Sequence, residues 1–270
     1  MSNLLTRALT GAVFVTIVIG SILWNPYAMI LVFALFMLLG LNEYFQLFKK
    51  HEQVKVKGEI GLFIGSFIFI VLVGISLEWL PIASLALVFP LFFTLVLTEL
   101  WRKKKHPLIN ISVLVFGVIY VTVPFYLAID LNLRDEAKLP AVVGMFILIW
   151  ANDTFAYLSG RAFGKRKLFE RISPKKTWEG TFGGVLATIL TGYLIGTFIN
   201  DDTFFWLISA LIIAPCAVYG DLLESLFKRS LDIKDSGKLL PGHGGILDRF
   251  DAVLFAIPFF YCWTIIYTYF

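Results

Sequence analysis

Residues 204–227 read FFWLISALIIAPCAVYGDLLESLF. The first two thirds of this stretch carry no charge, and the whole is long enough to cross a bilayer, whose hydrocarbon core takes about 20 helical residues. Its inner end carries two acids, Asp221 and Glu224, before Lys228 and Arg229 close it. Charged groups inside a span are costly and usually face a cavity or a partner. One segment therefore suggests both a membrane helix and a polar pocket at its end.

Working outward, eight more apolar segments fall at roughly 8–24, 27–47, 60–77, 80–100, 108–130, 139–160, 180–199 and 250–269. The expected fold is all-α, a polytopic transmembrane helical bundle of about nine spans. Composition agrees: 59% of the 270 residues are hydrophobic, 16% are charged, and the mean hydropathy is +0.83. A soluble domain carries roughly a quarter charged residues. Asn25-Pro26 reads as the turn between the first two spans. No cleavable signal peptide is evident, so the first segment reads as a permanent span. The sequence divides into residues 1–135, holding spans one to five, and 136–270, holding spans six to nine. The polar connectors 161–179 and 228–249 are too short for a soluble domain.

The net charge of +4 does not point to nucleic acid, because cytoplasmic loops of membrane proteins are basic. With the N-terminus inside, every one of the 23 lysines and arginines except Arg134 and Lys138 falls on the inner face. The outer face also holds Asp201-Asp202. Nine spans place the C-terminus outside, in the inner (plasma) membrane. Cys216 and Cys262 sit in apolar runs without a ligand-spaced partner and read as packing residues. Gly180, Gly184, Gly192 and Gly196 fall at spacings of four, which lets helices approach closely in lipid. Bundle packing is the first reading of them and a homodimer seam the second.

The candidate chemistry lies in the last four spans. Asp153 and Asp221 each lie seven residues from a cytoplasmic end, about 10 Å below the surface by helix rise. Asp221, Glu224, Ser225 and Lys228 share one helical face. The following connector holds Lys234-Asp235, then Pro241-Gly242-His243-Gly244-Gly245, then Asp248-Arg249 and Asp251. Glycines let backbone N–H groups approach an anion. Asp248 and Asp251 would share a side at the head of the ninth span. Carboxylates beside phosphate-binding cations suggest Mg²⁺, which takes oxygen ligands and substrate phosphates. Upstream, Ser173-Pro174 reads as a helix start, which would place Lys175 and Lys176 at an anion-binding N-terminus.

The ordered string from Ser225 through Lys228-Arg229, Lys234-Asp235, Gly237, Pro241, His243-Gly244-Gly245 and Asp248-Arg249 to Asp251 resembles the C-terminal signature of phosphatidate cytidylyltransferases, or CDP-diacylglycerol synthases. Asn152-Asp153, Gly160-Arg161, Phe163-Gly164-Lys165 and Ser173 to Gly180 resemble the same family. The resemblance is rich in motifs over about 150–252, and the first five spans share only hydropathy. It implies that CTP and phosphatidate give CDP-diacylglycerol and pyrophosphate, with the site facing the cytoplasm. Mg²⁺ is assigned to Asp221, Asp248 and Asp251. Asp153 is a candidate for a second cation or for positioning a lysine. Lys228, Arg229, Lys234, His243 and Arg249 are the catalytic candidates, and Lys175, Lys176, Ser225, Asp235, Gly244 and Gly245 the substrate-binding ones. CTP, phosphatidate and membrane lipids are the expected partners. The rival readings are a CTP-dependent polyprenol kinase and a cation-coupled transporter. Acids clustered near one surface, with no paired broken helices, argue against the transporter.

Overall fold

The computed structural model of the chain describes residues 3–49, 54–231, 233, 236–237 and 244–269. All nine apolar segments are helical. The helices are α1 (Asn3–Trp24), α2 (Pro26–Phe48), α3 (Gly58–Ser76), α4 (Val88–Arg102), α5 (Pro107–Gly117), α6 (Val123–Arg134), α7 (Ala141–Phe163), α8 (Trp178–Phe198), α9 (Thr203–Ser230) and α10 (Leu247–Tyr269). A 3₁₀ turn at Ile82–Leu87 leads into α4, and a π turn at Val118–Thr122 joins α5 to α6. Among the described residues, eight stretches, counting these joined pieces as one each, are long and apolar enough to cross a membrane. The apolar part of α1, Ala8–Trp24, is shorter. The protein is a membrane protein of the all-α class.

Local chemistry sets the helix boundaries. Between α1 and α2, Asn25 Oδ1 accepts the Tyr27 N–H at 2.8 Å, and Pro26 takes the first helical position, where its missing N–H goes unneeded. At α9, Asp202 Oδ1 accepts the Phe205 N–H at 3.0 Å.

One expectation is corrected here. Ser173-Pro174 opens a strand. Strands β1 (Lys167–Phe169) and β2 (Ser173–Thr177) form a small antiparallel hairpin, with Lys167 opposite Thr177 and Phe169 opposite Ser173. Helix α8 starts at Trp178 because Thr177 is the capping residue, its Oγ1 accepting the Gly180 N–H at 3.2 Å. Glu179, in the first turn of α8, takes the N–H groups of Lys165 (3.0 Å) and Arg166 (3.2 Å), which ties down the base of the hairpin.

The chain forms two compact units. One comprises Met1–Leu133 and Asp235–Arg249, the other Arg134–Lys234 and Phe250–Phe270. Segment 235–249, part of the second half in sequence order, thus joins the first unit. In the first unit, Phe33, Met37, Leu41 and Phe45 of α2 are buried, as are Val121 and Phe125. The rings of Phe33 and Phe125 meet edge-on at 5.9 Å. In the second unit, Phe146, Trp206, Ala210, Ile213 and Phe260 form the core.

Helix α8 shows why the spaced glycines matter. A methyl group on Gly180 would sit 2.7 Å from the Ala156 carbonyl, and one on Gly184 2.8 Å from that of Asn152. On Gly192 it would sit 2.6 Å from the Trp206 carbonyl. Thr188, fully buried, continues the same ladder. The ladder packs α8 against α7 and α9, the bundle-packing reading of these glycines. The opposite face of α8 presents Phe182, Leu186, Leu190 and Phe198, all exposed on the protein and suited to lipid.

Candidate active site

In the second unit, three helices and the hairpin bring charge together. Lys176 reaches from β2 to α9, where its ammonium pairs with Asp221 Oδ2 at 2.6 Å and lies 3.5 Å from the Val218 carbonyl. Side chains alternate along a strand, and the neighbouring Lys175 is exposed. Sequence treats the two lysines alike, whereas the fold gives only Lys176 to the acid. Ser225 donates to Asp221 Oδ1 at 3.3 Å, one helical turn on. A further turn along, Lys228 pairs with the buried Glu224 at 2.6 Å. The polar stripe read from the sequence is therefore two successive pairs on α9, Asp221 with Ser225 and Glu224 with Lys228.

Asp251 of α10 joins this group. Gly220 brings the two helices close, since a methyl there would sit 2.6 Å from the Asp251 carbonyl. The charges acting on Asp251 are those of Asp221 and Asp153, which repel it, and Lys228, which attracts it. Asp153 is exposed on α7. Asn152, next to it, donates to the Ala214 carbonyl at 2.8 Å and holds α7 to α9. Arg229, at the end of α9, donates to the Ile172 carbonyl of the hairpin at 3.5 Å and to that of Ile233 at 3.4 Å.

In the first unit, Ser236, Gly237, Gly244 and Gly245 lie around two carboxylates. Asp248 Oδ2 accepts the Ser236 N–H (3.0 Å), the Ser236 hydroxyl (2.9 Å) and the Gly245 N–H (2.8 Å). Gly244 has φ of +84°, a conformation other residues rarely adopt, and its open side faces Asp248. Arg249 is exposed on the first turn of α10. Lys234, Asp235 and His243 lie outside the described residues. The residue that the sequence reading missed is Glu43 of α2. It is buried, and it accepts the Leu247 N–H at 3.1 Å.

Among the described residues, no three His, Cys, Asp or Glu side chains close into a ready-made metal cage. The ligand atoms gathered at Asp153, Asp221 and Asp251 are nevertheless carboxylate oxygens. Such a set suits a hard cation that takes one or two carboxylates and completes its shell with phosphate and water. The positive charge beside these acids comes from Lys176 and Lys228, each paired with a carboxylate, and from Arg229.

The sequence pattern of the cytidylyltransferase family matches residues 5–267, nearly the whole chain. The protein belongs to this family. Among relatives, a phosphatidate cytidylyltransferase of Bacillus subtilis is 34% identical, over 96% of this chain and 95% of its own length. One from Haemophilus influenzae is 32% identical, over 94% and 96%. One from Staphylococcus epidermidis is 36% identical over a shorter stretch, 67% and 69%. For a cytidylyltransferase, an enzyme that handles a nucleoside triphosphate, the grouping of lysines with carboxylates makes chemical sense. The carboxylates hold the lysine ammonium groups in place, as Asp221 holds Lys176 and Glu224 holds Lys228.

Proposed function

We propose that this enzyme joins CTP to phosphatidate in the bacterial inner membrane, releasing pyrophosphate and leaving CDP-diacylglycerol. The observation that carries the reading is the convergence of Asp153, Asp221 and Asp251 with Lys176 and Lys228 at one end of three apolar helices. A phosphatidate oxygen attacks the α-phosphorus of CTP, forming a new P–O bond. The bond to the bridging oxygen of the β-phosphate breaks, and that oxygen leaves as part of pyrophosphate. The attacking oxygen is already anionic near neutral pH, so no strong general base is required. Positioning and charge neutralisation supply the rate.

Lys176 sits on Asp221 and is the cation best placed to move onto an incoming phosphate. Lys228, oriented by Glu224, is the second. Arg229 is assigned to the outer phosphates, and Lys234, His243 and Arg249 are the motif's further catalytic candidates. Asp221 and Asp251 would hold Mg²⁺, which when bound would stabilise charge developing on the phosphate oxygens. Asp153 stands by as a second-cation or lysine-positioning group. Asp248, whose Oδ2 is engaged by its own loop, is assigned to holding Gly244 and Gly245 in place. The basic-residue asymmetry supports a cytoplasmic mouth, where soluble CTP meets a phosphate still anchored by its acyl chains.

The test is transfer of labelled cytidine from CTP into the lipid fraction by purified protein, with and without Mg²⁺. Transfer that depends on Mg²⁺ supports the proposal. Label from the γ-phosphate entering lipid, with CDP released, would replace it by a lipid kinase.

A further inference from the structure

A single acid interrupts the buried inner end of α2, and nothing in the motif-bearing half of the sequence points to it. Glu43 is 9% exposed within an apolar helix. Burying a carboxylate is costly unless hydrogen bonds compensate. Here the compensation comes from a segment 204 residues away in the chain: Glu43 Oε2 accepts the Leu247 N–H at 3.1 Å, with the Ile246 N–H close by. These are N–H groups at the start of α10, where a helix has no internal partners for them and a negative charge is favoured. The fit is close on both oxygens. A methyl on Gly237 would sit 2.6 Å from Oε1, and one on Gly245 would overlap Oε2. Gly245 would also meet Ser236 Oγ at 2.5 Å. The glycines are therefore small because Glu43 and Ser236 occupy the space beside them.

We propose that Glu43 is a positioning residue, the cap that α2 supplies to α10, and that it sets where the glycine-rich segment and the first turn of α10 stand. Its effect on turnover rests on the function proposed above. Through Leu247 and Gly245 it fixes Asp248 and Arg249. It touches neither substrate nor cation.

The experiment uses the full chain in detergent. Glu43→Leu keeps bulk and removes the acceptor, whereas Glu43→Gln keeps one oxygen. Amide hydrogen exchange is followed in the peptide 244–250, together with kcat and KM for CTP. Loss of hydrogen bonds to a charged group predicts that Glu43→Leu speeds exchange there by about tenfold or more. The same variant should lower kcat/KM by about tenfold, mostly in kcat, with Glu43→Gln lying between it and the parent protein. Parent-like exchange and parent-like kcat/KM in folded Glu43→Leu would overturn the proposal. Should that variant fail to fold, Gly245→Ala pushes the same contact apart from the loop side. Faster exchange in 244–250 then supports the cap, and unchanged exchange rejects it. Exchange is read without turnover, so a parent protein that transfers no cytidine sinks the proposed reaction and leaves this test standing.

Discussion

Replacing Lys176 by alanine separates a working lysine from a lysine that only marks topology. In the resting protein its ammonium lies 2.6 Å from Asp221 Oδ2, with the two side chains 26% and 37% exposed. A pair this open to water contributes about 0–1 kcal/mol to stability. The melting temperature of Lys176→Ala should therefore stay within a few degrees of the parent, by the usual scaling of stability to melting temperature. Activity should respond differently if the ammonium passes from Asp221 to a phosphate oxygen. A hydrogen bond to a charged group is worth about 1.5–3 kcal/mol. At 1.36 kcal/mol per factor of ten, kcat/KM for CTP should fall about 10- to 150-fold. Lys175, exposed on the alternate side of the same strand, provides the control: Lys175→Ala should stay within about threefold, as surface substitutions generally do. The assay is initial-rate transfer of labelled cytidine to lipid, run beside a detergent melt of each variant. Equal losses in the two variants, or none in Lys176→Ala, would refute the assignment.

Asp221→Asn and Asp251→Asn should each abolish measurable turnover, and the double variant should be little worse than either, because the two act on the same charge; additive losses in the transfer assay would count against a shared role. Gly184→Ala, whose methyl would meet the Asn152 carbonyl, should lower the detergent melt by the equivalent of about 1–3 kcal/mol. Gly20→Ala, with open space around it, should be neutral or slightly stabilising, and a melt that treats the two glycines alike would contradict the packing ladder. A reporter fused to the C-terminus should read as outside the cytoplasm, and a cytoplasmic reading would remove the nine-span topology.

The helices were legible because twenty or so consecutive apolar residues admit few alternatives. The α9 stripe was legible because helical spacing alone aligns Asp221, Ser225 and Lys228. The hairpin was not. Ser173-Pro174 carries the signals of a helix start, and only the competition with Thr177, four residues on and better placed to cap, moves the boundary. The unequal fates of Lys175 and Lys176 follow from that strand and could not be read without it. Glu43 was missed for a different reason. In sequence it is one acid near the polar end of a span, where acids are common, and its partners lie on the far side of 204 residues. Motif strings record local order, and a cap supplied by a distant helix leaves no trace in them. A signal was present all the same: an acid followed by Tyr44 and Phe45, with more than a turn still to run to Phe48, is unusual enough to ask for a partner.

That cap bears on how portable the motif is. The residues from about 150 to 252 hold the motif strings, and they invite transplantation as a cassette onto another bundle of helices. A fragment covering 136–270 would keep Asp248, Gly244 and Gly245 and yet start α10 with its first amides open, since their acceptor belongs to the second helix of the chain. On this proposal, α2 is needed for the start of α10 to be built. Grafts and truncations of this protein should be drawn to include α2, and a chimera that exchanges it should keep an acid at position 43.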